Sequence, residues 1–198
     1  MKGLVLIPDI SGFTNFVKGV DLNLGVSITQ ELLSEIIDNN ELGLELSEIE
    51  GDAILFFKSG QPLPLHKVFE GLKKMHEAFD RRYLLLRAEY KLKSTLSLKF
   101  ILHYGEMNVY YIKGFKKLYG QIIIESHRLL KNGSRLHGYT LITEDYIRAL
   151  GEFTIHYIPG KGYFPSFFTQ LFTGLREIGY YFFNAPLQEI NQFEYSLQ

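Results

Sequence analysis

The chain has 198 residues, of which 46% are hydrophobic and 22% are charged, and its formal net charge is −1. This balance is typical of one globular domain and excludes the basic footprint of a nucleic-acid-binding protein. The absence of cysteine excludes disulfides and thiolate metal sites. The sequence contains no apolar run long enough for a signal peptide or a membrane span, so we expect a cytoplasmic protein without a membrane span.

Hydrophobic periodicity divides the first half of the chain into strands and helices. Pro8 is expected to end the first apolar strand, and Thr14 and Ser27 are candidate N-caps for the helices that follow. Glu50, Gly51 and Asp52 form the predicted turn of a β-hairpin. The predicted elements are a strand at 3–7, a helix at 27–40, strands at 44–49 and 53–57, and a helix at about 65–90.

The second half continues the alternation of strands and helices, but its last part is rich in Phe and Tyr and shows little periodicity. The predicted elements are a strand at 96–102 with a hairpin partner at 108–112, a helix at 118–130, and strands at 140–142 and 154–158 around a short helix at about 143–150. This order predicts an α+β domain with helices on one face of a mainly antiparallel sheet. We expect the domain to span 1–162 and residues 163–198 to form an aromatic-rich extension packing on the domain or on a partner.

Two aspartates stand at the ends of predicted strands. Asp9 follows the first strand and Asp52 precedes the third, so antiparallel pairing of these strands would bring both carboxylates to one edge. Carboxylates and substrate phosphates are preferred ligands of Mg²⁺, and the turn from Ile10 to Thr14 offers backbone N–H groups to an anion. Taken singly, each aspartate is more typical of a helix cap or a hairpin turn than of a metal site. Together they favour a metal or phosphate site.

Several segments resemble the class III adenylyl and guanylyl cyclases. Residues 8–14, with the sequence PDISGFT, resemble the first metal-binding motif of that family, and residues 49–53, IEGDA, resemble its second metal-binding turn. Residues 102–107, 119–129 and 160–162 resemble later segments in the same order. The resemblance covers residues 3–162 and implies the ferredoxin-like, palm-like class III cyclase fold. It also implies a homodimer with active sites at the dimer interface.

The resemblance also assigns roles to individual residues. It implies that Asp9, Asp52 and the backbone carbonyl of Ile10 bind two Mg²⁺ or Mn²⁺ ions, and that Arg128 is the catalytic arginine that stabilises the transition state. In the family, the partner chain supplies this arginine and the residues that recognise the base. The residues assigned to binding a nucleoside triphosphate or related phosphate ligand are Gly12, Phe13, Thr14, Glu48, Lys117 and Lys161.

The sequence departs from the family at the residues that act on the substrate. Glu48 stands where the family has a base-recognising lysine, and Lys117 where it has a base-recognising acid. This charge reversal is either coincidence or a swapped pair whose members contact each other. Ile124 replaces the transition-state asparagine, and loss of one preorganised donor costs roughly 10²–10³ in rate.

Three hypotheses follow from these observations. The first is a cyclase homology domain that binds nucleotide or polyphosphate at a retained metal site, with weak or no cyclase activity. The second is an active cyclase with a rewired base pocket, and the third is a non-catalytic dimerising interaction module. The six histidines lack the spacing of zinc enzymes, and no P-loop or dinucleotide fingerprint is present.

Overall fold

A computed structural model describes residues 1–131, 138–151, 166–172 and 174–183. Their elements, in chain order, are β1 (Lys2–Ser11), α1 (Phe13–Gly19), α2 (Leu22–Asp38), β2 (Glu45–Glu50), β3 (Ala53–Ser59), α3 (Leu65–Tyr90), β4 (Ser97–Glu106), β5 (Asn108–Ile112), β6 (Phe115–Tyr119), α4 (Gln121–Leu129), β7 (Thr140–Thr143), α5 (Glu144–Ala149), β8 (Ser166–Leu171) and β9 (Glu177–Phe183).

A seven-stranded sheet organises the domain, in the order β2-β3-β1-β4-β7-β9-β8. Its neighbouring strands are antiparallel except for β4 and β7, which are parallel. The predicted α+β class, the hairpin of β2 and β3 and the antiparallel pairing of β1 with β3 are therefore confirmed. The described part of the chain contains no helix with the length and apolarity needed to cross a bilayer.

Helices cover both faces of this sheet, so the expectation of one covered face is wrong. Leu4 and Leu6 point into a core shared with α1, α2, α3 and α5, whereas Val5 and Ile7 point into a second core shared with α4. Successive side chains of a strand point to opposite faces, and a strand that is apolar at every position must therefore be covered on both. This arrangement leaves α4 facing the sheet from the side opposite to the other helices.

Two predicted boundaries and one predicted strand pairing are corrected. Pro8 does not end the first strand, because β1 continues to Ser11 and Pro8 lies opposite Phe100 of β4. Residues 108–112 do not pair with β4, whose two edges are already occupied by β1 and β7; they pair with β6 in a separate two-stranded sheet. Leu118 and Tyr119 therefore belong to a strand, and α4 begins only at Gln121.

The aromatic-rich C-terminal segment contributes two strands to the main sheet. The strand β9 pairs with β7 and with β8, which forms the edge of the sheet. Cross-strand aromatic pairs, such as Phe167 with Tyr181 and Phe168 with Tyr180, have ring centroids 5.0 and 5.9 Å apart. The predicted strand at 154–158, the expected boundary between 162 and 163 and Lys161 lie outside the described residues.

Candidate functional site

The register of the sheet brings the two predicted aspartates together. Asp9 lies opposite Ala53, the residue that follows Asp52, in the antiparallel pair of β1 and β3. The backbone N–H of Ile10 donates to the carbonyl of Asp52 at 3.2 Å, which ties the turn before β3 to the end of β1. The juxtaposition expected from the order of the strands is therefore present.

A cavity of about 730 Å³ opens beside these carboxylates, between the end of β1 and α4. It is lined by seven of the residues that the sequence assigned to the site: Asp9, Ile10, Gly12, Phe13, Thr14, Asp52 and Arg128. The resemblance implied that the arginine acts on the partner chain's site. In the described chain, Arg128 lines the same cavity as the two aspartates of its own chain.

The turn after β1 is held close to the loop before β4. Gly12 has a φ of +88°, and its carbonyl accepts hydrogen bonds from the backbone N–H groups of Asn15 and Phe16, both at 3.1 Å. A Cβ at position 12 would lie 2.3 Å from the carbonyl oxygen of Thr95. Only glycine combines this left-handed conformation with such a close approach. The turn therefore places Phe13 and Thr14 at the wall of the cavity.

A lysine that the sequence analysis did not single out lies at the centre of the site. Lys99 is directly opposite Asp9 across β1 and β4, and its Nζ lies 2.7 Å from Asp9 Oδ2. The two side chains are only 18% and 13% exposed. The alternation of β4 contained the signal, because Lys99 lies on the same face of the strand as the buried Ile101. A lysine at such an inward position requires a partner.

The carboxylate of Asp52 experiences opposing influences. Burial and, second, the negative charge of Asp9 raise its pKa to about 6, while a backbone hydrogen bond and the charge of Lys99 act to lower it. Two neighbouring carboxylates disfavour each other's ionisation, and a nearby cation favours it. Lys99 therefore compensates the pair of aspartates, but only in part.

The end of helix α4 and the residues that follow it bring cationic groups to the opposite wall of the cavity. Arg128 and Lys131 line it, together with His127, whose Nδ1 lies 4.0 Å from Glu50 Oε2. Ile124, in the position where the family has an asparagine, also lines the cavity and is 54% exposed. The side chain at this position has no hydrogen-bonding group to offer a ligand.

The charge-reversed residues Glu48 and Lys117 contact each other. Lys117 Nζ donates to Glu48 Oε2 at 2.5 Å, joining β6 to β2, and this hydrogen bond is the largest of the effects that raise the pKa of Lys117. Neither residue lines the cavity beside the aspartates. Lys116 and Glu45 form a second ion pair between the same two strands. Within one chain, these two ion pairs join the two-stranded sheet of β5 and β6 to the seven-stranded sheet.

A buried polar network, also missed from the sequence, anchors α4. Glu125 accepts hydrogen bonds from His103 Nε2 of β4 at 2.8 Å and from Arg176 at 2.9 and 3.1 Å. His103 Nδ1 lies 2.9 Å from the hydroxyl oxygen of Thr143, and Arg176 also bonds Asp145 at 2.7 Å. These bonds fix the face of α4 that presents Ile124 and Arg128 to the cavity. The sequence signal was a glutamate on the apolar side of an amphipathic helix.

The charges beside the two aspartates oppose the predicted pair of metal ions. Asp9, one of the two predicted carboxylate ligands, is already paired with Lys99 at 2.7 Å. At about 4 Å and an effective dielectric constant near 20, two unit charges interact by roughly 4 kcal/mol, and a divalent ion doubles the repulsion from the ammonium. The two-metal assignment of Asp9, Ile10 and Asp52 therefore stays a prediction that this charge arrangement disfavours.

Comparison with known proteins identifies related sequences and folds. Residues 29–139 match the model of a family described as "Protein of unknown function (DUF2652)". A curated relative, "Uncharacterized protein Rv2561/Rv2562" of Mycobacterium tuberculosis, is 28% identical over an alignment of 129 residues that covers 62% of this chain and 60% of the relative. The match therefore spans less than two thirds of that relative's length.

Solved structures of adenylyl and guanylyl cyclase domains share the fold. The guanylyl cyclase Cya2 superposes with a TM-score of 0.71 at 14% identity, over 92% of this chain and 91% of that one. A class III adenylyl cyclase-like ATP-binding protein from Pseudomonas aeruginosa superposes with a TM-score of 0.58 at 18% identity, over 75% of this chain and 34% of that one. The predicted class III cyclase fold is thereby confirmed.

Proposed function

This chain belongs to the DUF2652 family and has the fold of class III cyclase domains, and from this premise we propose that it binds a nucleoside triphosphate or related polyphosphate with little or no cyclase activity. The ligand would occupy the cavity between the end of β1 and α4. The observation that carries this proposal is the meeting of the turn at Gly12 with Arg128 and Lys131 in one cavity. Cationic side chains on a wall facing a glycine turn are suited to phosphate groups.

The side chains around the cavity favour binding over turnover. Ile124 provides no donor to a developing charge, and removal of a single preorganised donor costs roughly 10²–10³ in rate. Glu48 and Lys117 form an ion pair with each other and do not line the cavity. Within this chain, therefore, neither side chain contacts a base bound in the cavity. The structural relative described as a cyclase-like ATP-binding protein supports the same function for this chain.

Calorimetric titration tests the binding proposal. ATP, GTP and inorganic tripolyphosphate would be titrated into the wild type in the presence of Mn²⁺ and again in excess EDTA. Because each charged hydrogen bond contributes about 1.5–3 kcal/mol, Arg128→Ala should weaken binding by roughly 10- to 100-fold. Arg148→Ala is the matched control, since Arg148 is an exposed helix arginine outside the cavity. If the wild type binds none of the three ligands in either buffer, the proposal fails.

A product assay separates the binding protein from an active cyclase. The wild type would be incubated with ATP or GTP and Mn²⁺, and cyclic nucleotide would be measured by mass spectrometry. We expect no product above that of an Asp9→Asn, Asp52→Asn double variant. Product formed by the wild type and lost in the double variant would establish the alternative of an active enzyme with a rewired base pocket.

A further inference from the structure

The sheet places one cation and two carboxylates side by side. Asp9 is on β1, which lies between β3 and β4, so that Lys99 is its neighbour on one side and Ala53, next to Asp52, on the other. All three charged side chains line the same cavity. This is the place where a carboxylate pair would hold a divalent cation.

The ammonium of Lys99 is held in this place by its ion pair with Asp9. Its side chain is largely buried, its Nζ is within hydrogen-bonding distance of Asp9 Oδ2, and its charge also acts on Asp52. A buried ammonium is stable only when it is paired, and moving away from Asp9 would leave two charges uncompensated. One fixed cation thus interacts with both carboxylates.

Among the residues that the structure describes, the carboxylates and the lysine and arginine side chains that line the cavity balance. Three carboxylates, those of Asp9, Glu50 and Asp52, face three cations, those of Lys99, Arg128 and Lys131. Without Lys99 the wall formed by the strands would carry only negative charge, and a phosphate would need a metal ion to approach it. With Lys99 present, a phosphate oxygen can approach a cation that belongs to the protein.

We propose that the ammonium of Lys99 takes the place of a divalent metal ion at the Asp9 and Asp52 carboxylates, so that the site contacts phosphate groups without Mg²⁺ or Mn²⁺. The phosphate part of this inference rests on the proposed function. Lysine binds phosphate as a point charge. It does not supply the Lewis acidity with which two metal ions clamp the attacking and leaving oxygens of a phosphoryl transfer. The substitution therefore accounts for a binding site with little or no turnover.

The first test uses Mn²⁺ alone, measured by electron paramagnetic resonance of the free ion. Lys99→Met removes the charge and keeps most of the side-chain volume, so it should bind Mn²⁺ roughly 10-fold or more tightly than the wild type. Adding Asp9→Asn and Asp52→Asn to this variant should abolish the gain. Lys58→Met is the matched control, because Lys58 is a half-buried lysine of the adjoining strand β3 whose ammonium donates to the carbonyl of Leu42.

The folding of the variants is checked by circular dichroism and thermal unfolding. Mn²⁺ should raise the unfolding temperature of Lys99→Met and leave that of the wild type unchanged, because a ligand stabilises only the folded state that binds it. If Lys99→Met does not fold even with Mn²⁺, Lys99→Gln, which retains a donor toward Asp9, replaces it in the same measurements. The inference is overturned if the wild type binds Mn²⁺ as tightly as the folded Lys99 variant.

The second test uses ATP and keeps the two proposals separate. Wild-type binding of ATP should be the same within about twofold in Mn²⁺ and in excess EDTA, whereas binding by Lys99→Met should require Mn²⁺. Wild-type binding that disappears in EDTA would overturn the inference while supporting the proposed function. Wild-type protein that binds no phosphate ligand would overturn the proposed function, and the Mn²⁺ titration would still decide whether Lys99 occupies the cation position.

Discussion

Gly12 sets the distance between the turn after β1 and the loop before β4. Its positive φ and the nearby carbonyl of Thr95 leave no room for a side chain. We expect Gly12→Ala to lower the free energy of unfolding by about 2–4 kcal/mol, because it adds a backbone clash to the cost of a left-handed conformation. Urea denaturation followed by circular dichroism measures this loss.

The matched control for this substitution is Gly51→Ala. Gly51 also has a positive φ, of +62°, but a Cβ there would meet no atom within 4 Å. This variant should therefore lose only about 1 kcal/mol, the cost of the left-handed backbone. Equal losses for the two variants would mean that the turn at Gly12 moves away from Thr95 without cost, and that the wall of the cavity is not fixed there.

At the scale of single elements, α2 begins at a cap that the sequence pattern did not identify. Asp21 accepts hydrogen bonds from the backbone N–H groups of Asn23 and Leu24 at 2.9 and 3.3 Å, and the helix starts before the predicted cap Ser27. Asp21→Ala should cost about 1 kcal/mol of unfolding free energy, because it leaves orphan donors at the helix start. Thermal or urea unfolding measures the change.

Ser27→Ala provides the comparison for this prediction. Ser27 lies within α2 and is exposed, so its loss should change the unfolding free energy by no more than about 0.5 kcal/mol. A larger loss of unfolding free energy for Ser27→Ala than for Asp21→Ala would indicate that the helix starts near Ser27, as the sequence pattern predicts.

The carboxylate of Glu125 connects α4 to β4 and to the residue before β9. Replacing it with glutamine keeps the volume but weakens its hydrogen bonds with His103 and Arg176. Because the site is buried and its donors are left poorly satisfied, Glu125→Gln should lose about 2 kcal/mol of unfolding free energy. Hydrogen exchange should also increase in α4, and unchanged exchange there would contradict an anchoring role.

The same carboxylate predicts a dependence of stability on pH. Burial opposes its ionisation, but its hydrogen bonds with His103 and Arg176 and the positive charge of the Arg176 guanidinium lower the pKa of Glu125 from 4.5 to about 2. A lowered pKa in the folded state contributes stability that is present above pH 4.5 and is lost as the pH falls toward about 2. The unfolding free energy of the wild type should therefore fall with pH more steeply than that of Glu125→Gln.

A control carboxylate on α3 tests whether this slope is specific. Glu77 forms a partly exposed pair with Lys73 at the long distance of 3.9 Å, a geometry that contributes little to stability. Glu77→Gln should retain the wild-type dependence on pH in urea titrations between neutral and acidic pH. The assignment to Glu125 fails if both glutamine variants give the wild-type slope.

At the scale of the whole molecule, the homodimer expected from the sequence stays a prediction. One face of the small sheet of β5 and β6 exposes Tyr110, Phe115 and Tyr119, which are 47%, 70% and 73% exposed. Exposed aromatic side chains in one patch are typical of interaction surfaces. We expect sedimentation velocity to show a wild-type dimer and a Phe115→Ser, Tyr119→Ser variant shifted toward monomer.

The comparison variant for the dimer is Leu22→Ser. Leu22 is 78% exposed on α2, so its replacement removes exposed apolar area from a different surface. This variant should sediment as the wild type does. A monomeric wild type would contradict the homodimer, and a double variant that stays dimeric would place the interface away from β5 and β6.

Much of the architecture follows from local patterns. The helix at 65–90 agrees with its predicted span because its apolar residues repeat at helical spacing over many turns. The partner of β5 could not be predicted in this way, because residues 108–112 alternate equally well against β4 or β6. That choice depends on β7 occupying the second edge of β4, which is a property of the assembled sheet.

The sequence by itself determined the class of fold, the pairing of β1 with β3 and the meeting of Asp9 with Asp52, because the order of the elements and the positions of two recognisable motifs at strand ends limit how these strands can pair. Only the tertiary structure decided which charge stands beside them. Lys99 reaches Asp9 through the register of β1 with β4, which is set by hydrogen bonds between segments far apart in sequence. The same long-range packing turns Glu125 toward His103 and Arg176 and presents Arg128 to the cavity.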